Sequence, residues 1–176
     1  MNHFHAATDI LRVHLLSQRR TSRTGIRIYR AWIDRFTAHF IRYQCCNYSG
    51  VYSLSTGTTP FYVGKTSQRV KSRVKGHVRL FLKSLVSYIS TGIIYMNAYH
   101  FVKWCNLLAD NRKITVRILS NDVDDEAACI RATSVKHRLT NMEELSSSYH
   151  HDSELVLSER VRELVTRSRI TMNLAG

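Results

Sequence analysis

A chain of 176 residues, 44% of them apolar, suits one domain with a buried core; one proline and seven glycines exclude a collagen-like or low-complexity chain. The formal charge of +13 points to a polyanionic partner, because each phosphate neutralised by Lys or Arg releases condensed counterions. Four cysteines, two of them adjacent, form neither a disulfide framework nor a C-x-x-C metal spacing.

The charge is unevenly spread. Residues 53–90 carry seven Lys/Arg and no carboxylate, whereas residues 122–176 carry seven Lys/Arg against ten Asp/Glu. A nucleic-acid footprint on the first half of the chain is therefore expected. Cys45, Cys46, Cys105 and Cys129 are expected as reduced thiols. No apolar run approaches the ~18–20 residues a membrane span needs. No signal-peptide pattern opens the chain, so a cytoplasmic protein is expected.

In chain order, Thr8 is placed to cap a short helix through residue 16, with Ile10, Leu11, His14 and Leu15 inward. His3 and His5 stand at its frayed end, without further ligands at a metal-binding spacing. Residues 18–24 (QRRTSRT) read as a basic loop. Residues 27–43 predict an amphipathic helix, with Tyr29, Trp32, Ile33, Phe36 and Phe40 recurring at steps of three and four. Its arginines are either a solvated face or part of a DNA-binding wall.

Residues 51–54 and 61–63 predict a strand hairpin across Ser-Thr-Gly-Thr-Thr-Pro. Ser67 is a candidate N-cap for a helix over 68–90 whose apolar face holds Val70, Val74, Val78, Phe81, Leu82, Leu85 and Ile89. Arg69, Arg73 and His77 run along the edge of that face. A helix over 97–108, a strand over 113–119 and a helix over 124–137 follow, the last opened by Asp122, Asp124 and Asp125. Residues 141–152 read as a loop. Ser153 is a candidate cap for a last helix to about residue 166, with Leu157, Val161, Leu164 and Val165 inward, and 170–176 read as a short final strand.

Gly50-Val51-Tyr52 and Tyr62-Val63-Gly64 resemble the paired tripeptides that give the GIY-YIG endonuclease family its name. A Gly-Lys-Thr turn and a helix carrying Arg73 and, four residues on, His77 accompany them. Glu126-Ala127-Ala128-Cys129-Ile130 resembles the family's glutamate-bearing helix after a third strand. The resemblance covers roughly residues 50–135. The family's later asparagine has no match at its usual spacing, where Arg138 stands; Asn141 and Asn173 are both candidates.

The resemblance implies a compact α/β sandwich with a small mixed or antiparallel sheet of about three strands, flanked by helices. Residues 1–46 would be a basic helical extension, 47–140 the nuclease core, and 141–176 a C-terminal helix and tail. It implies phosphodiester hydrolysis by Tyr52, Tyr62, Arg73, His77 and Glu126.

Arg73 offers a planar fork to phosphate oxygens. Lys65, at a strand-to-helix turn, is either a second phosphate ligand or a surface lysine; Arg69, Lys71 and Lys75 complete the basic face. Glu126 is the candidate ligand of one Mg²⁺, or Mn²⁺ in its place, with water and phosphate completing the shell. Tyr52 is the candidate general base, its pKa expected to fall beside Arg73, Lys65 and the metal. Tyr62 would orient water or phosphate, and His77 would bond the Tyr52 hydroxyl or a phosphate. The expected substrate is double-stranded DNA, cut by a restriction-type or phage/mobile-element enzyme. A homodimer is expected for cutting both strands of a palindrome, using the 29–40 or 157–165 stripe. A basic DNA-binding protein without catalysis is the alternative.

Overall fold

A computed structural model describes residues 3–19, 22–44, 48–140 and 157–174. Cys45, Cys46, Asn141, Ser153 and the predicted 141–152 loop lie outside the described residues. The elements are α1 (His3–Gln18), α2 (Arg23–Phe40), β1 (Ile41–Tyr43), β2 (Gly50–Thr56), β3 (Thr59–Thr66), α3 (Val70–Thr91), α4 (Ala98–Ala109), β4 (Ile114–Ser120), α5 (Glu126–Ser134) and α6 (Glu159–Leu174). The fold is α/β with a mixed sheet of order β1-β4-β2-β3, four strands where about three were expected. β1 is parallel to β4; β2 is antiparallel to both β3 and β4.

The added strand comes from the segment predicted as the end of a helix. α2 begins where the Ser22 hydroxyl accepts the Gly25 N–H at 3.0 Å. It stops at Phe40, and Ile41 turns extended without any Gly or Pro signal. Ile41 pairs with Ile114 at the sheet edge, so pairing to a distant strand overrides the local helical pattern. The hairpin is longer at both ends than predicted. It contains a bulge, with Leu54 opposite Tyr62 but Ser55 opposite Pro60, and Phe61 is the extra residue.

α3 buries the whole apolar face read from the sequence. Its start differs: Arg69 is the cap residue, and Thr66, not Ser67, accepts a backbone N–H there, from Gln68 at 3.1 Å. Gly92, at φ 76°, closes the helix by donating to the Tyr88 carbonyl. α4 is capped by Asn97.

α1 starts five residues before Thr8. Ile10 and Val13 face inward, and Leu15, expected inside, is 45% exposed. α5 is shorter than predicted, following a single 3₁₀ turn at Val123–Asp125. α6 continues through Leu174, which overturns the predicted final strand. Nothing in Ile170–Asn173 breaks a helix, and Arg169 locks this turn by donating to the carbonyls of Ile89 and Tyr88 at 2.8 and 3.3 Å.

One face of the sheet packs into the main core, where Tyr52, Leu54 and Val116 meet α3 and the other long helices. The opposite face holds a smaller cluster of Val51, Val63 and Leu139 against Cys129 and Ile130 of α5. The Leu157, Val161, Leu164 and Val165 stripe is buried in this chain's own core, which withdraws it from the expected dimer contact. In the 29–40 stripe, Ile33 and Phe40 are likewise buried. No helix among the described residues is long and apolar enough to cross a membrane.

Candidate active site

Tyr52 lies on β2, opposite Gly64 on β3 and Ile118 on β4. Alternation along the strands sends Tyr52 and Tyr62 to the α3 face. There the Tyr52 hydroxyl lies 2.8 Å from His77 Nε2. Arg73, one turn before His77, and Tyr62 also reach that hydroxyl. The phenol oxygen can both accept and donate, so either tautomer of His77 accommodates this bond. The ring of Tyr62 stands 5.4 Å from that of His77 and 6.2 Å from that of Tyr52. Gly64 leaves room for it: a Cβ there would stand 2.6 Å from the Tyr62 ring.

The electrostatics run against one expectation. Tyr52 is 0% exposed, and burial, then the Tyr62 phenol, push its pKa well above the usual tyrosine value; Arg73 lowers it but does not prevail. Tyr52 is therefore a protonated phenol at neutral pH, without contact with solvent, and the expected fall in its pKa does not occur. His77 is held down to about 4 by burial first and Arg73 second, and is neutral. Arg73 itself is exposed, and its guanidinium carries five N–H donors.

The other predicted groups divide into separate places. Glu126 opens α5 and pairs with Lys65 Nζ at 3.2 Å. Lys65 shares the side of β3 occupied by Val63, the α5 face, so this pair and the Tyr52–His77–Arg73 group approach the hairpin from its two faces. Lys65 is thus an ion-pair partner of the carboxylate. Arg69 is exposed on the Arg73 stripe.

Lys71 and Lys75 lie about 200° around α3 from that stripe. Lys71 sits 5.9 Å from the centre of the Tyr43 ring, and Lys75 pairs with Asp34 of α2 at 2.6 Å, so the four cations do not form one surface. Asn173 lies beside Ile89 and Gly92, at the far end of α3, roughly 24 Å along the helix from Arg73. It does not join this site.

Among the described residues, no three His, Cys, Asp or Glu side chains cluster to hold a metal. Of the predicted site residues, Glu126 is the one carboxylate beside the hairpin. That fits a hard divalent ion taking most of its shell from water and substrate oxygens, with the half-exposed Lys65 ammonium as its competitor.

The sequence reading missed His100. It lies on the apolar side of α4, 4% exposed, with its ring 5.0 Å from Tyr62, 5.9 Å from His77 and 6.0 Å from Phe61. The bulge at Phe61 lets two successive aromatic rings face the same histidine. Thr140 donates to the Phe61 carbonyl at 3.0 Å, so His100 Nδ1 donates to Thr140 at 3.0 Å and Nε2 carries the lone pair. Burial first, and His77 second, hold its pKa down to about 3. A histidine four residues before Trp104 on an aromatic helix was the only signal available.

Comparison with known protein families, with curated proteins and with solved structures found no match to this chain.

Proposed function

We propose that this protein is a metal-dependent DNA endonuclease of the kind its GVY and YVG tripeptides resemble. The observation that carries the reading is the meeting of His77, Arg73 and Tyr62 at one buried hydroxyl, that of Tyr52. Support also comes from the basic, carboxylate-free stretch 53–90, which suits a phosphate backbone.

In this reading Arg73 is the phosphate ligand, held at one edge by Tyr52 and offering its other N–H groups to two phosphate oxygens. Tyr62, half-buried at the same place, orients the attacking water. Tyr52 and His77 move the proton as a pair. The phenol oxygen takes a proton from water as its own passes to His77 Nε2, and the anionic phosphate on Arg73 favours the imidazolium that results. This needs a small opening at Tyr52, because the residue is closed to solvent. Mg²⁺, or Mn²⁺, held by Glu126 would supply positive charge against the phosphate oxygens.

Double-stranded DNA is the proposed substrate, the cytoplasm of a bacterial or phage-infected cell the proposed setting, and a restriction or mobile-element role the proposed use. Cutting both strands would call for a homodimer.

One observation favours the alternative of a DNA-binding protein without catalysis: Glu126 is paired with Lys65 and stands on the other side of the hairpin from Tyr52. Nicking of supercoiled plasmid with Mg²⁺ separates the two. The wild type is expected to nick, and Arg73→Ala and Glu126→Ala to lose at least about 10²-fold. Cutting by both variants at the wild-type rate would sink the assignment. DNA binding without cleavage under any divalent ion would establish the alternative.

A further inference from the structure

We propose that the cleft between α1, α2, α3 and α4 binds an amphipathic monoanion, an apolar chain ending in one carboxylate. The cleft shares no residue with the Tyr52–His77 site. Its volume is about 360 Å³, in the range of small-ligand pockets. Phe36 and Phe40 of α2, Leu82 and Leu85 of α3 and Leu108 of α4 form its walls. Water in such a chamber finds few hydrogen-bond partners, so an apolar chain displaces it favourably.

The rim has the opposite character. Arg12, Arg35, Arg112 and Lys113 stand around it, with Asp9 as the sole carboxylate among the described residues. None of the four cations pairs with a carboxylate among the described residues, whereas Lys65, Lys75 and Arg160 each do. Guanidinium groups without a carboxylate partner among the described residues, set around an apolar chamber, suit a ligand whose charged end is a planar anion, which arginine binds through two parallel hydrogen bonds. Charge complementarity thus selects an anionic head over a cationic or neutral one. A nucleic-acid backbone could touch the rim but has no apolar part to fill the chamber.

The test is a titration of the full-length protein with decanoate, followed by amide chemical shifts and calorimetry. Decyltrimethylammonium supplies the same chain with the opposite head. Saturable one-site binding of decanoate is expected, with shifts confined to α1–α4 and a raised Tm. Decyltrimethylammonium should bind at least about tenfold more weakly. Arg35→Glu on the rim should weaken decanoate at least about tenfold, while Arg131→Glu on α5, an equal change of net charge, should leave it unaltered. Leu108→Trp should block binding, with far-UV circular dichroism reporting its fold; if it misfolds, the two arginine variants still decide. Absence of saturable binding, equal affinity for the two heads, or equal weakening by the two arginine variants overturns the proposal.

Discussion

The Tyr52 hydroxyl of the central strand β2 and the Nε2 of His77 on α3 lie 2.8 Å apart, and this bond joins the sheet to the helix that carries Arg73. Removing it leaves a part-buried ring nitrogen without its hydrogen-bond partner. Tyr52→Phe should destabilise the protein by about 1–3 kcal/mol, read from urea denaturation. In the proposed nuclease it should also lower plasmid nicking by about 10²-fold. A variant as stable as the wild type would show that the bond contributes nothing to the fold.

His77 and His100 are held neutral, with pKa values of about 4 and about 3 against 6.5 in an unfolded chain. Between those values and 6.5 the unfolded state binds protons that the folded state does not, so stability falls as pH falls. The expected slope is about 1.4 kcal/mol per pH unit for each histidine, spanning pH 6.5 to about 4 for His77 and 6.5 to about 3 for His100. Denaturation at pH 7 and pH 5 measures it, and His77→Gln should remove one share. Equal slopes in wild type and variant would refute the contribution of His77.

Two glycines of the hairpin should respond differently to alanine. At Gly50, φ is 132° and a Cβ would overlap the Ser120 carbonyl oxygen, a backbone atom that cannot move aside, so Gly50→Ala should not fold stably. At Gly64 the added Cβ first meets the end of the Tyr62 ring, which can swing away. Gly64→Ala should therefore fold, lose no more than about 2 kcal/mol, and displace Tyr62 from His77, with Tyr62 ring NMR shifts as the readout.

The ion pair of Lys65 with Glu126 is partly exposed, and such pairs contribute about 0–1 kcal/mol. Lys65→Met should leave stability nearly unchanged and strengthen Mn²⁺ binding at Glu126, measured by electron paramagnetic resonance. Unchanged or weaker affinity would count against Glu126 as the metal ligand.

Ile41 to Tyr43 form an edge strand on β4, and Ile10, Val13, Ile33 and Phe40 sit in the main core. A chain beginning at residue 47 should lose that cover and fail to fold cooperatively, as circular dichroism melting would show. A sharp transition near the wild-type Tm would mean that residues 47–176 fold alone.

Much of this was readable from residues alone. The apolar face of α3 was legible because seven positions at helical spacing leave a single way to bury them. The hairpin and β4 were legible from local turn chemistry and β-branched alternation, and α4 was placed to within a residue at each end, while its Asn97 cap came only from the structure. The final strand was misread because Ile170 to Asn173 are short of periodicity, and only the docking of Arg169 on the end of α3 makes them helical. β1 was missed because a three-residue strand exists only through its partner.

For the candidate site, the sequence by itself determined the residue types and their order: two tyrosines on the paired strands of a hairpin, an arginine and a histidine one helical turn apart, and a glutamate opening a later helix. Tertiary structure alone decided which of them touch and in what charge state. Strand alternation put Tyr52 and Lys65 on opposite faces of the hairpin, so Glu126 met Lys65 instead of Arg73. Burial raised the pKa of Tyr52 where neighbouring cations would have lowered it, because desolvation depends on every element packed around a group, and no local stretch of sequence records that.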